Sequence, residues 1–344
     1  MIDSLEKINL DFKKNYQAIF NAPELTQKYL NKRSDKFDQI IINEFKTRKL
    51  ENDFAIVALG GYGRQELFPS SDIDLSIIKL SKKSNKIEDV KNFIGWLWTL
   101  NVKIGHSVRT FKEINKITKS DLKEFTSYLS HRIIYCKEDK INQLNLNLKK
   151  ISDNWSKTKF FNAKKIEQYN RHQSFDSTEF SLEPDLKESP GCIRDFQSAL
   201  WILEHCFKID KIEDCVKTKL FKKVEIAGVK KSYSYIKFLR YILNLNSKSN
   251  RISFENQLLL AKKSKLKSSK KSSAVEKFMK TFFLHASNLS DFNEFVFQAY
   301  EDQLSFFKKT YSTHYYIFKD RLGISDRIDL IKNPEFILES LIKV

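Results

Sequence analysis

The stretch that most limits what this chain can fold into is Ala58 to Ile78, ALGGYGRQELFPSSDIDLSII. From Asp72 onward polar and apolar residues alternate, which is the period of a β-strand: Asp72, Asp74 and Ser76 share one face, and Ile73, Leu75 and Ile77 the other. Just before it, FAIVAL (Phe54 to Leu59) reads as a buried strand that ends on Gly60-Gly61. The segment between Gly61 and Asp72 is long enough for one short helix and a return to the sheet. A glycine pair lets backbone approach a ligand closely, because no Cβ intervenes. A helix starting there would turn unpaired N–H groups toward a phosphate. Two carboxylates on one strand face can hold divalent cations, orient an attacking hydroxyl and neutralise a pyrophosphate leaving group. Arg64 could add a cation near the phosphates. The plainer alternative is that the glycines make a turn and the aspartates close a strand end. Asp-x-Asp alone is a weak signal; its combination with Gly-Gly at this spacing is a rare one, and it favours a nucleotidyl-transfer site.

Around this stretch the chain alternates between strand and helix signals. Residues 1–48 read as helical, and Lys79 to Lys86 as a lysine-rich turn. Ile87, Val90, Ile94 and Leu97 fall on one helical face, and Val102 to Val108 reads as another strand. From about residue 150 the pattern is mostly helical. Ile193, Phe196, Leu200, Leu203 and Phe207 predict an amphipathic helix opened by Ser189-Pro190-Gly191. A second long helix is expected over Ala274 to Leu304. The basic run between them, KKSKLKSSKKSS (Lys262 to Ser273), reads as a solvated connecting loop. Near the end, YYIFK suggests a short strand and Asn333-Pro334 the start of a helix.

Composition narrows the class further. The 344 residues are 41% hydrophobic and 30% charged, a globular profile with length for more than one domain. No apolar run is long enough to span a membrane, and the N-terminus does not resemble a signal peptide. Cys136, Cys192, Cys206 and Cys215 are scattered, as expected of reduced thiols in a cytoplasmic protein. The net charge of +18 suits a triphosphate or an acidic partner, but the lysines are spread along the whole chain rather than gathered. A dedicated nucleic-acid face is therefore not favoured.

GGYGRQELFPSSDIDL resembles the nucleotidyltransferase motif of the bacterial PII uridylyltransferase/uridylyl-removing enzymes. Further blocks resemble that family in the same order: KIGHSVRTFKE (Lys103 to Glu113), the long run FFNAKKIEQYNRHQSFDSTEFSLEPDLKESPGCIRDFQSALWI (Phe160 to Ile202), and NRISFENQLLLAKK (Asn250 to Lys263). YYIFKDRLGISDRIDLIKNPEFIL is similar to the stretch that precedes the family's hydrolase domain. The resemblance implies an α/β plus all-α chain: an N-terminal helical segment (1–48), a polymerase-β-like nucleotidyltransferase domain (49–145), a helical domain (146–308), and a C-terminal segment (309–344). It implies Mg²⁺- or Mn²⁺-dependent transfer of UMP from UTP to a tyrosine of the signalling protein PII. On this chain Asp72 and Asp74 would be the catalytic metal ligands. Gly60, Gly61 and Arg64 would contact the triphosphate, and Lys187 or Arg194 would face the nucleotide or form a supporting ion pair. His106 is expected to be a hydrogen-bonded sheet histidine rather than a base, and Tyr62 and Phe68 core residues.

Two departures qualify the resemblance. The strand beside the aspartates, from Asn101 to Ser107, carries no third carboxylate, and Cys192 stands where the family usually has a second glycine. The family's hydrolase and sensor domains are expected to be absent, and none of the six histidines precedes an aspartate. Transfer without removal is therefore expected, with a separate hydrolase or sensor subunit as a further partner if the enzyme is split. The alternatives are transfer to another protein or small hydroxylated acceptor, and a non-catalytic module that binds PII or nucleotide.

Overall fold

The computed structural model describes residues 2–81, 86–100 and 102–304, with short strands at 309–310, 315–318 and 321–324. The chain divides into two compact units, Met1–Val296 and Phe297–Val344. In the second, Tyr315–Phe318 pairs antiparallel with Lys309–Thr310 and with Arg321–Ile324, so the YYIF strand forms; the helix expected after Asn333-Pro334 lies outside the described residues.

The first unit opens with helices α1 (Ile2–Lys14), α2 (Tyr16–Asn21) and α3 (Thr26–Thr47). A four-stranded mixed sheet follows, built from β1 (Phe54–Ala58), β2 (Ile73–Lys79), β3 (Ile104–Thr110) and β4 (Arg132–Tyr135) in the order β3-β2-β1-β4. β1 runs antiparallel to β2 and β4, and β2 parallel to β3. The single turn α4 (Gly60–Gly63) joins β1 toward β2, and α5 (Ile87–Trp98) crosses from β2 to β3. On one face of the sheet Ile73, Leu75 and Ile77 meet Phe37, Ile41 and Phe45 of α3 and Val90, Phe93 and Leu97 of α5. The α3 residues recur every four positions, which sets them on one stripe of the helix. Ile87 differs from expectation: it is 61% exposed. As the first residue of α5, its side chain tilts past the helix N-terminus and misses the sheet.

The other face of β2 is covered only beyond its carboxylates. Helices α6 (Phe111–Ser120) and α7 (Leu122–Leu129) lie there, and Ser76 hydrogen-bonds the buried Tyr128 hydroxyl at 2.7 Å. Both helices have sequence-coded starts. Thr110 and Glu113 form a capping box on α6, and Asp121 accepts from the amides of Lys123 and Glu124.

After α8 (Glu138–Lys150) the fold is helical: α9 (Lys157–Gln173), α10 (Ile193–Ile202), α11 (Asp214–Lys217), α12 (Lys223–Asn246), α13 (Phe254–Lys263) and α14 (Ala274–Leu304). The amphipathic helix expected through Phe207 stays α-helical to Ile202. Leu203–Phe207 then widens into a π-turn ended by Lys208 at φ 62°. α12 was not signalled by the sequence, yet it is the spine of this part. Tyr233 stacks on Phe196 of α10 at 3.9 Å, and Tyr241 stacks on Phe12 of α1 at 4.0 Å. The N-terminal helices are thereby packed on the helical region rather than on the sheet alone.

Candidate active site

β2 presents Asp74 into a cleft between the sheet and the helical region. Its register partner on β3 is Gly105, where a Cβ would lie 2.6 Å from Asp74 Oδ1. On the other side lies Gly60, at φ +54°, where a Cβ would stand 3.4 Å from Asp74 Oδ2, an ordinary contact. Gly105 thus leaves the carboxylate room that a side chain would take, while Gly60 is favoured by its left-handed backbone. Asp72 sits at the mouth, 46% exposed, with Lys103 Nζ at 3.0 Å. Partial desolvation, then the charge of Asp72, raises the pKa of Asp74, while Lys187, Lys103 and Arg64 act in the opposite direction.

All seven residues singled out from the sequence line one cavity of about 660 Å³: Gly60, Gly61, Arg64, Asp72, Asp74, Lys187 and Arg194. One detail of the expectation changes. The helix begins on the glycines themselves and lasts four residues, with Arg64 and then Gln65 (φ 55°) turning the chain out of it. One turn sums too few peptide dipoles to seat a phosphate chain by itself. Positive charge must come from side chains, and Arg64 supplies some of it. Its Nε donates to Glu66 Oε2 at 3.0 Å. Glu66 is buried and also accepts from Gln197 Nε2 at 3.1 Å and from the Tyr233 hydroxyl. Burial pushes the Glu66 pKa up, but Arg64 and then Lys237 overcome it and hold the carboxyl below its usual range.

The helical region provides the opposite wall. Asp185 Oδ1 accepts from the amides of Lys187 and Glu188, closing a tight turn that aims both side chains at the cavity. Lys187 Nζ and Arg194 Nη2 reach Glu188 Oε1 at 3.2 and 3.6 Å, so each is at once an ion-pair partner and a cavity-lining cation. Gly191, at φ +69°, passes so close to Ala286 that a Cβ would meet its carbonyl oxygen at 2.3 Å. Cys192 after it is fully buried at φ −107°, a conformation that needs no second glycine.

Residues 159–297 match the family described as GlnD PII-uridylyltransferase. That region belongs to the PII-uridylyltransferase family. Over 277 residues, 79% of its length, the chain is 32% identical to a bifunctional uridylyltransferase/uridylyl-removing enzyme of Haemophilus influenzae, covering 32% of that protein. A protein of the same name from Nitrosococcus oceani is 31% identical over 272 residues, 78% of this chain and 30% of its own length. The Hydrogenovibrio crunogenus protein of that name is 28% identical over 348 residues, 96% of this chain and 39% of its own. The chain spans about a third of the length of the curated relatives it matches.

The PII-uridylyltransferase region contributes Lys187 and Arg194 to the cavity, and with them residues the sequence reading did not single out, among them Lys164, Glu188, Gln197, Trp201 and Arg240. Lys164 on α9 is 2% exposed and paired with Glu167. Burial lowers its pKa to about 8, with Arg194 and Arg171 adding to the effect and Glu167 opposing it. Nothing in FFNAKKIEQ marks Lys164 from Lys165; only the packing of α9 separates them. His106 lies beside Leu75, on the sheet face away from Asp74, and its ring meets Trp98 at 5.7 Å. It is not placed to serve the carboxylates. Tyr62 and Phe68 are buried core residues as expected, though the Tyr62 hydroxyl also donates to Asp38. No helix among the described residues is long and apolar enough to cross a membrane, and all four cysteines are thiols rather than disulfide halves.

Proposed function

We propose that the chain transfers UMP from UTP to a tyrosine hydroxyl of a PII-type signalling protein, and that it does so without removing UMP again. The observation that carries this reading is that Asp72 and Asp74 share one cavity with Gly60, Gly61, Arg64, Lys187 and Arg194. Similarity to named uridylyltransferases supports the donor and the acceptor.

The carboxylate pair fits Mg²⁺ or Mn²⁺. Its donors are hard oxygens, and the charge of Asp72 raises the pKa of Asp74, a repulsion that a cation between them would relieve. Among the described residues no group of three or more His, Cys, Asp or Glu is placed to hold a metal. Asp72 and Asp74 would therefore share the ion with phosphate oxygens, a usual arrangement for Mg²⁺. Bound there, the metal supplies charge neutralisation at the phosphate undergoing substitution.

The chain's own residues do the rest. Gly60 and Gly61 let the phosphates approach the backbone. Arg64, Lys187 and Arg194 bind the non-bridging oxygens and hold the chain in line. The tyrosine oxygen forms a bond to the α-phosphorus as the bond to the bridging oxygen breaks, and pyrophosphate leaves with that electron pair. β3 brings no third carboxylate alongside Asp74, so the phenolic proton is lost into the open cleft without a dedicated base.

The test is to incubate the chain with labelled UTP, ATP, CTP or GTP, Mg²⁺ and PII from the same cell. Label should pass to PII from UTP, and Asp72→Asn/Asp74→Asn should lower the rate by about 10³-fold or more while leaving the fold intact. PII already carrying UMP should keep it. Label from another nucleotide, or on another acceptor, would overturn the substrate assignment, and a double variant as active as the parent would overturn the site.

A further inference from the structure

Three cations on the cavity wall come from three separate segments and converge on a single ring. Arg64 follows α4, Lys164 lies on α9 and Arg194 on α10. They stand 5.8, 4.6 and 5.8 Å from the centroid of Trp201. Gathering like charges in this way is unfavourable: burial lowers the pKa of Lys164 most, Glu167 opposes it, and Arg194 and Arg171 add smaller downward effects. Each cation also has a carboxylate beside it: Glu66 for Arg64, Glu167 for Lys164 and Glu188 for Arg194. The electron-rich face of an indole attracts all three without neutralising any of them. The ring is itself held: Trp201 is 5% exposed, and its Nε1–H donates to Ser130 Oγ at 2.9 Å.

Resting on the transfer reading above, we infer that Trp201 is a positioning residue whose ring gathers Arg64, Lys164 and Arg194 so that their remaining N–H groups face the phosphate chain of a nucleoside triphosphate. One side chain of the helical region thereby aligns a cation from the sheet region with two of its own. A neutral carboxylate-free anchor suits this role, because a further acid would compete with the phosphates for the same donors.

The test separates a gathering ring from a mere filler of space. Trp201→Phe keeps a π face, whereas Trp201→Leu keeps apolar volume without one. Binding of inorganic tripolyphosphate with Mg²⁺ should weaken about tenfold or more in the Leu variant and stay within about threefold in the Phe variant. KM for UTP should rise more than kcat falls. Lys164→Gln should cost less in the Leu background than in the parent, because the two residues act together. Should the Leu variant unfold, the same cycle is run with Trp201→Met, which also lacks a π face, and the shrinkage of the Lys164→Gln effect decides. Equal losses from Leu and Phe, unchanged binding in Leu, or additive effects with Lys164→Gln would each overturn the inference. Tripolyphosphate binding that depends on Trp201 without transfer of UMP to PII would leave the inference standing and remove the reading it rests on. A parent chain that binds no tripolyphosphate would remove both.

Discussion

Gly105 shows how a residue can serve the candidate site without touching substrate. A methyl group there would lie 2.6 Å from Asp74 Oδ1, a distance that real Cβ atoms do not sustain, so the carboxylate must swing away. β3 is an edge strand, and alanine is compatible with strand backbone, so the fold itself should tolerate the change. Gly105→Ala is expected to lower nucleotidyl transfer at least about tenfold, with a shift in melting temperature of no more than a few degrees. Transfer rates beside a thermal melt check this, and full activity in the variant would refute the crowding. The spacing of Asp72 and Asp74 made both aspartates readable from the sequence. Gly105 was not readable in the same way, because its role exists only once β3 is laid parallel to β2 in that register.

At the scale of the element, the switch from α10 to the π-turn at Leu203–Phe207 leaves Glu204 in a costly place. Burial, then the charge of Asp210, pushes its pKa up to about 7, with Lys208 opposing. A carboxyl whose folded pKa lies above its unfolded value contributes stability below the unfolded value, near 4.5, and loses it as pH rises through about 7. Glu204→Gln should therefore be more stable than the parent at pH 8 by about 1–2 kcal/mol, and the two should converge toward pH 4.5. Urea melts at the two pH values decide the sign. The regular amphipathic spacing from Ile193 predicted one continuous helix, and the extra residue per turn that interrupts it has no signature in that spacing. α12 was missed for a different reason. Its buried residues run almost all round the helix, from Tyr233 and Tyr235 through Ile236, Lys237 and Phe238, so no single polar face remains to show the helical period. α14, flanked by a basic loop and free of breakers, was readable to its ends.

For the molecule as a whole, the N-terminal helices matter more than their sequence suggests. Phe12 of α1 is buried, stacks on Tyr241 of α12 and meets Tyr29 of α3 edge-on at 5.1 Å. Asp38 of α3 accepts a two-pronged pair from Arg132 of β4 at 2.5 and 3.1 Å, which ties the same helices to the far edge of the sheet. Sheet, N-terminal helices and helical region should therefore lose structure together. Phe12→Ala is expected to cost about 3–5 kcal/mol and to move the main unfolding transition as one. An early, separate melt of the N-terminal helices, seen by hydrogen exchange, would contradict that coupling. The sequence by itself determined the local part of this protein: the alternation that makes β2, the glycines that turn before it, and the paired aspartates on one strand face, because each follows from residues a few positions apart. It also supplied Lys187 and Arg194, through the likeness of a long block to a known family. Only the tertiary structure decided which cations meet the carboxylates and what holds them there. Glu66, Lys164 and Trp201 come from segments that are distant in the chain, and the distances and burial that define their roles arise from packing helices against a sheet.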